Sequence, residues 1–330
     1  MGGRRKRYGS GRYTVNGYRV SEDPQAQPPS SKQPKELLRR IFMLLLAVVA
    51  IVSAFLLIRY FVWQAQSRRQ AEALKAIYYS TEEPQAAAAS PQPTAAPTKA
   101  EPRPQATAVP PMPTTAPAYL QNPTLKVSET FKKLQKTNKD IVAWLSVEGH
   151  LDHAVVQRNN SYYLTRDYLG HRNDNGALFL DESCLLEKRP DALIIFGHNM
   201  KTEAMFGWLH RYRQLNFYRQ NPFVTCNTLY EDGRYVIFAV STISLLNGSL
   251  KYLNIYDLNN PNTARRESAI RQLCSLSEHP QAVEVTAGDQ LLVLVTCTGD
   301  DNTRLLVAAR RIRDNESESS LQYSIQHTTR

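Results

Sequence analysis

Ile41 to Ile58 is an uninterrupted run of 18 uncharged residues in which Ser53 is the one polar member. At about 1.5 Å per residue, a helix of that length spans about 27 Å, close to the ~30 Å hydrocarbon core of a bilayer. The run predicts a transmembrane signal-anchor helix over residues 41–63. Arg59 can snorkel, and Tyr60, Phe61 and Trp63 suit the interfacial zone. A cleaved signal peptide fits poorly, because 40 residues precede the run.

Charge sets the orientation. Within 20 residues of the run the basic residues balance: Lys32, Lys35, Arg39 and Arg40 against Arg59, Arg68, Arg69 and Lys75. Arg4, Arg5, Lys6, Arg7, Arg12 and Arg19 break the tie and predict a cytoplasmic N-terminus with the rest of the chain outside. Residues 1–40 read as a basic, disordered cytoplasmic tail whose charge suits anionic membrane lipid. The formal net charge of +10 is concentrated there, at +7, whereas residues 126–313 carry only +3. A nucleic-acid partner needs a basic face on a folded domain and is not expected.

Residues 64–81 read as a juxtamembrane helix. Residues 82–123 then hold 11 of the 19 prolines, mixed with Ala, Thr and Gln and without glycine. Such composition builds no core and favours extended polyproline II, so 82–125 is expected to be a Pro/Ala/Thr-rich stalk of up to roughly 130 Å. It would hold a folded head, 126–313, away from the bilayer. Residues 314–330 read as a polar C-terminal tail.

The head reads as mainly β. Ser128 can cap a helix carrying Phe131 and Leu134. Strand-like runs follow at Ile141–Val147, Ala154–Gln157, Ala177–Leu180, Ala192–Phe196, Val224–Tyr230, Tyr235–Ser241, Leu291–Thr296 and Leu305–Ile312, with a further piece around Val283–Val285. About eight strands suit a closed barrel or a sandwich. Helices are expected over Glu203–Gln214 and over Pro261–Leu276, the latter with Asn260 as its cap.

The reactive residue types sit at strand ends. The apolar run Leu291–Val295 stops at Thr296-Cys297-Thr298-Gly299-Asp300, and Arg304 opens the next strand. A tight turn would bring Arg304 back alongside Cys297. Ala192–Phe196 ends in Gly197-His198-Asn199-Met200. Cys297, His198 and Arg304 could thus supply nucleophile, proton shuttle and oxyanion partner. Cys274 shares helical spacing with Ile270 and Leu273 and reads as packing. Cys226 has no arginine in a following tight turn. Cys184 lies in a loop, and a Cys184–Cys226 disulfide is conceivable. Four cysteines exclude a disulfide-dense scaffold. The remaining histidines make no recognised zinc spacing, and no glycine-rich phosphate loop is visible, so neither metal nor cofactor is expected. A stalked non-catalytic adhesin and a cysteine peptidase that only hydrolyses remain rival readings of these residues. In a papain-like peptidase, however, Cys normally precedes His, whereas here His198 precedes Cys297.

Leu294-Val295-Thr296-Cys297 with Arg304, preceded by Phe196-Gly197-His198-Asn199-Met200, resembles the sortases. Phe131-Lys132-Lys133-Leu134-Gln135, Trp144, Val155-Val156-Gln157, Tyr162-Tyr163-Leu164 and Met205-Phe206-Gly207 resemble class B within them. The resemblance covers roughly residues 126–313, with a Cys-to-Arg connection shorter than in many class B members. It implies a closed eight-stranded barrel with added helices and catalytic roles for His198, Cys297 and Arg304. It also implies a cysteine transpeptidase at the cell wall. Surface proteins or pilins with a C-terminal sorting signal would be cleaved after Thr and carried as a thioester on Cys297. They would then be transferred to an amine of a peptidoglycan precursor or a pilin.

Overall fold

The computed structural model describes residues 33–80 and 124–328. The expected cytoplasmic tail and stalk lie outside them, apart from the tail's residues 33–40 and the stalk's Thr124 and Leu125. The chain divides into two compact units, Met1–Gln64 and Ala65–Arg330.

In the first unit the described residues belong to helix α1 (Gln33–Tyr79), which continues into the second. Within its stretch Lys35–Val62 an 18-residue window has mean hydropathy 3.2 and no burial, and the stretch is long and apolar enough to cross a membrane.

The second unit is built on a closed barrel. Its strands are β1 (Ile141–Val147), β2 (Leu151–Val156), β3 (Leu178–Leu180), β4 (Ala192–Phe196), β5 (Phe223–Thr228), β6 (Arg234–Ser244), β7 (Leu291–Cys297) and β8 (Thr303–Arg311). They close in the order β1-β2-β3-β4-β7-β8-β6-β5. Pairs β2–β3 and β4–β7 are parallel and the others antiparallel. The eight strands anticipated from the sequence are therefore present. The long apolar runs become the most buried ones: β7 is buried from Leu291 through Thr296 and emerges at Cys297.

Helices cover the barrel. In α2 (Glu129–Thr137), Ser128 accepts the Phe131 N–H, and Phe131 and Leu134 face the core. Helix α3 (Leu215–Gln220) buries Tyr218. Helix α4 (Thr263–Ser275) buries Ala269, Ile270 and Leu273, and the Leu273 carbonyl accepts Ser241 Oγ of β6 at 2.9 Å. Helix α5 (Glu318–His327) buries Leu321 and Ile325.

Four expectations need correction. Val283–Val285 is no strand; the Glu284 carbonyl is taken by the buried Arg310 side chain at 2.6 Å, which replaces a strand partner. No continuous helix fills Glu203–Gln214, because Glu203 and Met205 hold positive φ of 60° and 52°. A 3₁₀ turn over Gly207–Arg213 leads instead into α3. The cap of α4 is Asn262, whose side chain accepts the Arg265 N–H, while Asn260 accepts the Asn262 N–H in the turn before it. The segment expected as a polar tail contains α5, capped by Ser317.

Charged pairs fasten the segment after β8. Arg310 is 1% exposed and donates to both Glu316 oxygens at 2.7 and 2.6 Å. Arg313 donates to both Asp289 oxygens at 2.9 and 2.8 Å. Burial alone would raise the Asp289 and Glu316 pKa values. Their guanidinium partners and backbone N–H donors outweigh it and hold both below the ordinary carboxylate range. Groups with depressed folded pKa values stabilise fully above their unfolded values, about 4, and lose that contribution as pH falls through the folded values. The thermal midpoint should accordingly drop steeply below about pH 4. Asp289→Asn should lower the neutral-pH midpoint and flatten this acid limb, both read by calorimetry across pH.

Candidate active site

Two strand pairings bring three distant residues to one rim. In the parallel β4–β7 pair, Phe196 lies opposite Val295, and the Gly197 N–H continues the ladder to the Val295 carbonyl at 3.2 Å. The next residues on the two chains are His198, past the end of β4, and Cys297, the last residue of β7. In the antiparallel β7–β8 pair, Cys297 lies directly opposite Arg304. The connection between them is tight. Gly299 takes φ +101°, Asp300 accepts the Asn302 N–H, and the Thr298 and Thr303 hydroxyls hydrogen-bond across the turn.

The three side chains line a single cavity of about 270 Å³. Phe179, Phe196 and Val295 supply an apolar wall, and Asn160 and Tyr256 a polar edge. Asn160 and Tyr256 both donate to Oδ2 of the buried Asp181, at 2.9 and 3.3 Å. The cavity suits an extended peptide segment with alternating apolar and polar contacts.

Beneath the rim the seam is closely packed. Thr296 is 2% exposed and its hydroxyl donates to the Gly197 carbonyl at 2.8 Å, stapling the residue before Cys297 to the residue before His198. A Cβ on Gly197 would stand 2.5 Å from Leu178 Cδ2 and 2.7 Å from the Phe206 ring, so only glycine fits.

His198 Nε2 lies 2.7 Å from the Leu164 carbonyl. A carbonyl oxygen only accepts, so Nε2 carries a hydrogen and Nδ1 is the nitrogen left to exchange a proton. Leu164 belongs to a 3₁₀ turn, Tyr162–Thr165, anchored through Tyr163, whose hydroxyl donates to Asp140 Oδ2 and accepts from Asn138 Nδ2, each at 2.9 Å. Arg304 uses Nη1 to cap the carbonyls of Asp301 and Thr303 at 2.9 and 2.8 Å. Among the described residues its side-chain partners are these two backbone carbonyls rather than the Asp300 or Asp301 carboxylate.

All four cysteines are free thiols, so Cys184 and Cys226 are not joined. Burial pushes Cys184 and Cys274 up to about 11 and Cys226 up to about 12, whereas Cys297 is exposed. Among the described residues no His, Cys, Asp and Glu cluster could hold a metal ion. Sequence reasoning missed Asn160, Leu164 and Tyr256. They lie on loops and 3₁₀ turns where no periodicity marks an inward face.

A closed barrel with Cys, His and Arg on neighbouring strand ends is the arrangement expected of a sortase. No family model matches the chain. It is 28% identical to sortase B of Listeria monocytogenes over 174 residues, 52% of this chain and 68% of that one. It is 25% identical to sortase B of Staphylococcus aureus over 195 residues, 57% and 76% of the two chains. In structure it is similar to sortase B from B. anthracis, crystallised in complex with AAEK2. The TM-score is 0.52 at 27% identity, over 58% of this chain and 86% of that one. In sequence and in fold, then, the chain resembles the class B sortases, which are transpeptidases.

The cysteine environments predict selective labelling. Only the thiolate reacts, and a thiol with pKa near 11 is roughly 10⁻³ ionised at pH 8. Iodoacetamide at pH 8, followed by peptide mass mapping, should modify Cys297 first, with the other three at least about 10²-fold slower in the folded protein. Equal rates at all four would remove the special standing of Cys297.

Proposed function

We propose that the chain is a membrane-anchored class B sortase that cleaves a C-terminal sorting motif after Thr and joins the new carboxyl group to an amine. The observation that best supports the reading is that the one exposed thiol shares a cavity with His198 and Arg304. A stalked adhesin would have no use for that convergence.

The Cys297 thiolate attacks the Thr carbonyl carbon, forming a C–S bond and placing negative charge on the carbonyl oxygen. Arg304 donates to that oxygen or to the adjoining substrate backbone. A fixed donor in a partly dry cleft is worth about 3–4 kcal/mol to such a transition state. Collapse breaks the C–N bond, and protonated His198 gives its proton to the departing amine, which is otherwise a poor leaving group. A thioester remains. An acceptor amine then attacks it, loses a proton to His198 and displaces the thiolate, so the chain is regenerated and one amide replaces another. No cofactor enters this cycle. Water in place of the amine would give hydrolysis, the rival reading.

The apolar part of α1 serves as the membrane anchor, with the basic tail cytoplasmic and the catalytic unit outside. Protein substrate and lipid-linked acceptor would share that surface. Confinement raises their effective concentrations without any added contact. Motifs of the Asn-Pro-x-Thr kind are the first to test.

A fluorogenic Asn-Pro-x-Thr peptide with an amine acceptor, read by mass spectrometry, distinguishes the alternatives. The ligated amide should dominate, Cys297→Ala should abolish it with the thermal midpoint unchanged, and His198→Ala should nearly do so. Product that is wholly hydrolysed, or full activity in Cys297→Ala, would sink the reading.

Arg304→Lys tests the oxyanion role separately. Lysine keeps the charge but loses the planar fork of donors. We expect kcat/KM to fall by roughly 10²-fold, comparable to the loss of an oxyanion donor, with little change in midpoint. Near-normal activity would leave Arg304 a purely electrostatic part.

A further inference from the structure

A stalk at residues 82–125 requires that the chain before it belong to something other than the head. The contacts of residues 71–79 point the other way. Leu74 and Tyr78, one helical turn apart on α1, are 3% and 5% exposed, and Ala71 and Ile77 pack against the same core. The Tyr78 ring stacks on Trp144 of β1 at 4.3 Å and 9°, and meets Phe131 of α2 edge-on at 6.4 Å. Its hydroxyl accepts from Asn227 Nδ2 of β5 at 2.7 Å. Lys75 pairs with Asp152 of β2 at 2.6 Å. Asp152 also accepts from Trp144 Nε1 at 2.7 Å and from the Tyr79 hydroxyl at 3.1 Å. One carboxylate thus joins the helix end to two barrel strands.

We propose that residues 71–79 are a constitutive element of the head, docked on β1, β2, β5 and α2, and that residues 81–123 connect two neighbouring points of that one unit. The Tyr78–Phe131 contact fixes the neighbourhood, since these residues flank the Pro-rich run closely on either side. A run with both ends on one unit adds no reach between the head and what precedes it. The covalent link from the head back to the apolar stretch is then α1, which runs from Gln33 to Tyr79. This docking is independent of the catalytic assignment.

The full-length chain in detergent, with an N-terminal affinity tag and a specific protease site placed within residues 82–123, supplies the test. After cutting, capture through the tag should retain the head fragment. Tyr78→Ala should release at least about 10-fold more of it and lower the midpoint of the uncut chain by roughly 6 °C or more, the effect of truncating a buried aromatic. Lys75→Glu places a negative charge against Asp152 at a partly exposed position. It should weaken retention while the near-ultraviolet circular dichroism stays native, which separates loss of docking from loss of fold. Complete loss of the wild-type head on cutting, or a midpoint that Tyr78→Ala does not move, would overturn the docking.

Discussion

The register of the parallel β4–β7 pair is the constraint on which the site depends. His198 and Cys297 are 99 residues apart in the chain, and they meet because Phe196 lies opposite Val295 and both chains run to the same rim. Side chains alternate faces along a strand, so a slip of one residue would turn one of the pair away from the cavity. Three features hold the register. Four apolar residues on β4 and five on β7 are buried, the Thr296 hydroxyl bonds the Gly197 carbonyl, and the space beside Gly197 is filled by Leu178 and Phe206. Antiparallel pairing of β7 with β8 then adds Arg304, with no further freedom once the turn at Gly299 is closed.

The same strand sorts the thiols. Burial along β7 ends between Thr296 and Cys297, a boundary of one residue. Apolar surroundings disfavour a thiolate, which is why Cys226, inside β5, has its pKa pushed up to about 12. A thiol one residue earlier on β7 would share that fate, and one carried on a loop would lose its fixed direction. The strand end reconciles exposure with rigidity, and the sequence Val295-Thr296-Cys297 encodes the transition from apolar through hydroxyl to thiol.

Much of this was legible before any coordinates. The bounds Ala192–Phe196 were read without error and Leu291–Thr296 to within one residue, because continuous apolar runs ended by polar or glycine-containing turns leave little choice. Opposition of Cys297 and Arg304 followed from the shortness of their connection. What escaped the reading lacks periodicity. Asn160, Leu164 and Tyr256 reach the cavity from loops or 3₁₀ turns, and their placement depends on tertiary partners such as Asp181. Helix α5 carries Leu321 and Ile325 at i, i+4 behind a Ser317 cap, but two buried positions in ten were masked by the surrounding Ser, Glu and Gln. Leu74 and Tyr78 show the same spacing. They were hidden by continuity with the long apolar run, which suggested a single purpose for the whole helix.

The support beneath His198 shows how far the site's geometry reaches into the fold. The imidazole is held through Leu164, Leu164 through the Tyr163 turn, and that turn through Asp140 and Asn138 at the junction of α2 and β1. Phe131 of α2 meets Tyr78, and Trp144 of β1 stacks on it, so the same corner of the barrel carries the end of α1. A chain of packed side chains and short hydrogen bonds therefore runs from the end of α1 to His198. Physical contiguity alone is no evidence of energetic coupling, which needs an element with two discrete arrangements. Each link is packed or hydrogen-bonded, so the chain is a scaffold that limits the positions open to His198.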